Sequence, residues 1–110
     1  MNNDLIANQK LYDLLLYWHQ LVVNFPRSDR FVLGQNIEKQ LIYILKLINR
    51  INNIHEDRKQ YYAELSEEID VLFIYNRLSK DLIFISIKQY MFIAEKINEI
   101  AKISCGWLKK

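Results

Sequence analysis

Apolar residues recur along this chain at steps of three and four, the spacing that places side chains on one face of a helix. Leu11, Leu15, Trp18, Val22 and Phe25 form one such stripe between Asp4 and about Asn24, widened by Leu14 and Leu21. Ile37, Leu41, Ile44, Ile48 and Ile51 form a second, in a helix expected from about Ser28 to about Asn52. Tyr61, Leu65, Ile69, Leu72 and Leu82 mark a third, and Tyr90, Ile93, Ile97, Ile100, Ser104 and Trp107 a fourth. Four helices of roughly twenty residues, about 30 Å each, joined by short turns must pack against their neighbours in sequence. The pattern predicts an all-α, antiparallel up-down-up-down four-helix bundle, with residues 1–110 as one domain.

The boundaries carry their own signals. Pro26 fixes its φ, lacks an N–H and biases Phe25 away from helix, so the first helix ends there. Ser28 then reads as the cap of the next helix, with Asp29 meeting its positive dipole end. Phe25 and Phe31 flank this corner as apolar pins, Arg27 and Arg30 point outward, and Gly34 permits a close approach. The polar run Asn52–Asp57 is the second turn, and Asp57 with Gln60 resembles a capping box. No glycine closes the third helix near Ile83. Ser86 with Gln89 forms a further capping box at the start of the fourth, with Ile85 and Tyr90 placed as its hydrophobic staple.

Composition narrows the class. Two glycines and one proline in 110 residues are too few for a sheet and its turns. The lone Cys105 has no internal partner, no basic-flanked apolar leader opens the chain, and no apolar segment is long and uncharged enough to span a membrane; a reduced, cytoplasmic protein is expected. Fifteen basic against thirteen acidic residues give a formal charge of +2, so any case for nucleic acid rests on placement.

Two surfaces stand out. Tyr12, Leu16, His19 and Val23 line up on a second face of the first helix, and Met91, Phe92 and Ile103 lie off the stripe of the fourth. This is more apolar exterior than one bundle hides; it reads as a self-association surface or as scattered exposed apolar residues. Lys39, Lys46 and Arg50 form the best basic line, which is equally the pattern of a solvated helix face. In the third helix, acids come early (Glu64, Glu67, Glu68, Asp70) and Arg77 and Lys80 late, as the dipole favours; the two cations are one turn apart and suit a phosphate or an acidic partner. Catalytic signals are sparse. Neither His19 nor His55 follows a glutamate at the spacing of a di-metal bundle site, and no phosphate loop, cysteine pair or nucleophile elbow is present, so no cofactor is expected. Arg50 and His55 have the spacing of the HEPN-type ribonuclease pair, in a place where a helix frays into a turn.

Several pieces in register resemble the Avd family, the accessory variability determinant of diversity-generating retroelements. They are Leu11–Leu16, Phe25–Ser28, Arg30–Gln35, Tyr75 with Arg77-Leu78, Asp81-Leu82, Ser86 with Gln89-Tyr90, Glu99–Lys102 and Gly106–Lys109. The resemblance implies a four-helix subunit that assembles into a pentameric barrel with a basic surface, binds a reverse transcriptase and RNA or DNA, and performs no catalysis. Arg27, Arg30 and Arg77 match basic positions of the family; with Lys39, Lys46, Arg50 and Lys80 they form the expected contact set, and Tyr12, Leu16, Val23, Met91 and Phe92 the expected oligomer interface. Val71 and Phe73 stand where members often carry further basic residues, and Ile83 and Cys105 where glycine is usual. The four-helix-bundle proteins of rRNA intervening sequences, which would act in protein association, share the Phe-Pro corner. Their Asn-Ile-Ala-Glu-Gly segment corresponds here to Ile48–Asn52.

Overall fold

The computed structural model describes the backbone of residues 3–54 and 58–108 and the side chains of 6–54 and 58–103. Four long helices, α1 (Asn3–Val22), α3 (Gln35–Asn53), α4 (Arg58–Asp81) and α5 (Ile87–Leu108), carry the fold. A single helical turn, α2 (Arg27–Asp29), and a π-helical turn, Arg30–Gly34, lead into α3. Around the bundle the order is α1, α3, α4, α5, with α5 returning to α1; among the described residues the diagonal pairs do not approach.

Named contacts set the directions. Asn8 bonds Asn49 at 3.2 Å and His19 meets Glu38 at 3.0 Å, so α1 and α3 run oppositely. Lys10 meets Glu99 at 2.9 Å while the Tyr17 and Phe92 rings lie 4.8 Å apart, which opposes α1 and α5. Gln40 bonds Glu68 and Tyr43 bonds Glu64, opposing α3 and α4. Asn76 donates to the Tyr90 carbonyl at 3.0 Å across the short turn between α4 and α5.

The apolar stripes supply the core. Leu11, Leu14, Trp18, Val22 and Phe25 are buried with Ile37, Leu41, Ile44, Ile48 and Ile51, and with Leu65, Ile69, Leu72, Ile93, Ile97 and Ile100. Leu15, Leu21, Tyr61, Tyr90 and Ile103 are half-buried against them, so Ile103 belongs to the core and not to the surplus apolar surface. Ser104, Cys105 and Trp107 have side chains outside the described residues, and Asp57 of the expected capping box lies outside them altogether. Phe25 sits between Trp18, 6.4 Å away and nearly perpendicular, and Phe84, 5.1 Å away, which joins the 23–34 corner to the 82–86 turn at one end of the bundle.

The corner departs from expectation at two residues. The Pro26 carbonyl accepts the N–H groups of both Asp29 and Arg30, at 2.9 and 3.0 Å, so the helix begins at Arg27 with Pro26 in the cap position. Ser28 is therefore inside the first turn and caps nothing. The π-helical turn buries Leu33 and Gly34 and leaves Phe31 64% exposed, so only Phe25 is a pin. A π-turn holds one more residue than an α-turn and so re-aims the start of α3. Gly34 is required here, because a Cβ added to it would lie 2.5 Å from Val22 Cγ1.

At the other turn the Ser86–Gln89 capping box forms as expected, with reciprocal bonds of 2.8 and 3.0 Å. α4 closes with a Schellman motif: Phe84 N–H donates to the Ser79 carbonyl and Ile83 N–H to that of Lys80. Ile83 takes the left-handed position, φ 63°, usually given to glycine, and Leu82 lies past the helix end, 46% exposed instead of in the core stripe. Polar groups also enter the core. Asn76 and Ser79 are fully buried, with Ser79 Oγ returning to the Tyr75 carbonyl at 2.9 Å.

Both turns yield a stability test. Gly34→Ala forces Val22 aside and is expected to cost about 1–3 kcal/mol, seen as a lower urea midpoint and partly relieved by adding Val22→Ala. Ile83→Gly relieves a β-branched residue from left-handed backbone while burying nothing less, since Ile83 is 86% exposed, and is expected to gain about 1 kcal/mol. An unchanged or lower midpoint for Ile83→Gly would show that the turn carries no such strain.

Candidate interaction surfaces

The cations of the expected contact set fall in two places. Arg27 and Arg30 project from the corner turn, exposed and with no ion-pair partner among the described residues. Arg77 and Lys80 lie at the same end of the bundle, on the last turns of α4, and share one carboxylate: Asp81 is 3.7 Å from Arg77 and 3.3 Å from Lys80. Lys80 also lies 4.7 Å above the Tyr90 ring. A phosphate approaching this pair competes with Asp81.

Lys39, Lys46 and Arg50 are exposed along the outer side of α3. They run beside the acidic half of α4, because Gln40 reaches both the backbone and the carboxylate of Glu68, at 3.0 and 2.7 Å, and Tyr43 donates its hydroxyl to Glu64. That bond raises the Tyr43 pKa above the ordinary 10.0, with burial and the charges of Glu64 and Glu68 adding to it and Arg50 opposing. Two α4 carboxylates, Glu64 and Glu68, therefore reach the α3 side that carries these cations and offset part of their charge toward a distant polyanion. Nothing in the spacing along either helix announced that Glu64 and Glu68 would meet Tyr43 and Gln40. Arg50 is on the exposed face, while His55, its partner in the ribonuclease spacing, lies outside the described residues.

Tyr12 and Leu16 are exposed along α1 and Val23 just past its end, and Met91 and Phe92 along α5. Phe92 packs on Tyr17, with Lys96 5.2 Å from its ring, over a shallow groove lined also by Lys10 and Asp13. Beneath it Glu99 holds Lys10 at 2.9 Å and Lys96 at 3.7 Å. The hydrogen bond from Lys10 lowers the Glu99 pKa below its ordinary 4.5; burial opposes it, and the positive charges of Lys10 and Lys96 add to the lowering. Sequence reasoning missed a further stripe: Ile74 and Leu78 are exposed on α4, one helical turn apart, with Leu82 at the next step. Their spacing of four was the signal available.

Among the described residues no helix is long and apolar enough to cross a membrane, and no three His, Cys, Asp or Glu side chains gather as a metal site. Fold and surface together define a helical bundle whose outward features are apolar stripes and dispersed cations. Residues 5–110 match the family model described as bAvd-like. The chain therefore belongs to the Avd family of accessory proteins of diversity-generating retroelements, a non-catalytic family. Comparison with curated proteins and with solved structures gives no match.

The Glu99 shift has a definite sign. A carboxylate whose folded pKa is depressed stabilises the fold above its unfolded value and loses that contribution as pH falls through the folded one. Stability is expected to be level in this term above about pH 4.5 and to fall below it. Thermal melts of Glu99→Gln should show a shallower acid-side decline than the parent, and identical slopes would mean that the Lys10–Glu99 pair contributes nothing to acid stability.

Proposed function

We propose that this protein is a non-catalytic accessory subunit that assembles with copies of itself and binds both a reverse transcriptase and nucleic acid of a diversity-generating retroelement. The membership of residues 5–110 in the bAvd-like family carries this reading. The surface supports it in kind. Leu16, Val23, Ile74 and Met91 are exposed to an extent that suits contact with a further chain, and Arg27 and Arg30 are free to meet phosphate. The low net charge and the carboxylates beside Lys39, Lys46, Arg50, Arg77 and Lys80 make each subunit a weak electrostatic binder. Assembly compensates, because several weak sites on one particle act together on a single polyanion. In this reading Arg27 and Arg30 lead the contact and the paired cations contribute less.

The test is RNA binding by the purified protein across a salt series. The logarithm of affinity is expected to fall linearly with that of salt, by about 0.7 for each phosphate neutralised on a single strand. Arg27→Glu with Arg30→Glu should weaken binding and flatten that slope, more than Lys39→Glu with Lys46→Glu does. Salt-independent binding, or none, would count against the nucleic-acid role; co-purification with the reverse transcriptase of a neighbouring gene tests the other half.

A further inference from the structure

Phe31 is the most exposed aromatic side chain among the described residues, at 64%, and it stands on the π-helical turn. The backbone there is what turns it outward. Leu33 and Gly34 are buried, with Gly34 fitted against Val22, and the two residues before them, Phe31 and Val32, face solvent. Turns of this kind are rare and recur at functional sites. Arg30 adjoins the ring in the chain and Arg27 lies one turn earlier, both exposed and without an ion-pair partner among the described residues; Asp29 is the one carboxylate of the segment. Two other exposed aromatic rings are engaged, Tyr43 with Glu64 and Phe92 with Tyr17. No ring stacks on Phe31 among the described residues.

We infer that Phe31 is a stacking platform for an unpaired nucleobase, so that the corner takes single-stranded nucleic acid in preference to duplex. The inference rests on the nucleic-acid role proposed above and names the form of nucleic acid that this site selects. The corner offers two separate attractions. Guanidinium groups meet the phosphates of any strand. A ring face attracts only a base whose own face is uncovered, which a single strand supplies and a stacked duplex withholds. Charge alone gives the opposite order, because a duplex carries one phosphate charge per about 1.7 Å of axis, denser than one strand, and two arginines by themselves favour it. A preference for the single strand therefore reports the ring and not the cations. Val32 beside it widens the apolar platform. A protein docked on this corner would need only apolar bulk at position 31, which leucine also provides.

Fluorescence anisotropy with a labelled oligouridylate, alone and annealed to oligoadenylate, tests this on the parent chain and on Phe31→Leu and Phe31→Trp. All three are expected to unfold at one urea midpoint, since the side chain is outside the core. At equal salt the parent should bind the single strand more tightly than the duplex. Phe31→Leu should weaken single-strand binding about tenfold, within the worth of one base–aromatic stack, while its duplex binding and its salt slope stay those of the parent. Phe31→Trp should bind at least as tightly as the parent. A parent that favours the duplex, a leucine variant that binds like the parent, or a tryptophan variant as weak as the leucine one overturns the stacking site and leaves the charge-based role standing. Absence of salt-dependent binding to either form overturns both.

Discussion

Phe25 packs between Trp18 on α1 and Phe84 in the turn after α4, and the arrangement of one whole end of the bundle depends on that contact. Pro26 stops α1 and starts the next helix through its own carbonyl, which accepts two N–H groups. The residue before it is thereby turned inward at the one place where it meets both Trp18 and the α4–α5 turn. Aromatic pairs of this kind contribute about 0.5–1.5 kcal/mol beyond the area they bury. Their larger effect is geometric, because they bring the corner cations Arg27 and Arg30 to the same end as Arg77 and Lys80. Gly34 completes the corner by letting the π-helical turn press against Val22.

Electrostatics in this subunit is local, not global. Most cations of the expected contact set have a carboxylate within reach or alongside: Asp81 serves Arg77 and Lys80, and Glu64 and Glu68 flank the α3 line. Exposed pairs of this sort add little to stability, typically under about 1 kcal/mol each. They do reshape the surface potential. What a partner meets is a corner carrying Arg27 and Arg30, an α3–α4 side where cations and carboxylates are both present, and an α1 face whose Asp13 accepts a hydrogen bond from Gln9 at 2.9 Å. One chain of this kind exerts little long-range electrostatic pull of its own on a polyanion.

Apolar exposure follows a similar division. The stripes that build the core are consistent along all four long helices, so the subunit folds around a single interior. The surplus sits outside it, on α1, on the π-helical turn (Phe31, Val32), on α3 (Ile42, Tyr43) and on α4 and α5. Ile83 lies between α4 and α5, projecting into solvent from a backbone position that suits glycine better. Strain retained at an exposed residue is a feature that packing within the bundle does not explain.

The chain alone determined the helix count, the buried stripes and the Ser86–Gln89 cap, because each follows from spacing or chemistry within a few residues, whereas the demand for glycine at position 34 comes from Val22 on another helix. The same local reasoning failed at Ser28, Phe31 and Leu82. There the backbone was decided by a doubly accepting proline carbonyl, a π-helical turn and a left-handed cap with no glycine to signal it. Which charges neighbour one another was not legible at all. Glu68 and Gln40, or Glu99 and Lys10, are far apart in the chain and meet only when helices pack side by side. Tertiary packing thus decided which cations are free and which apolar residues stay outside the core, since both are properties of neighbouring helices and not of any one of them.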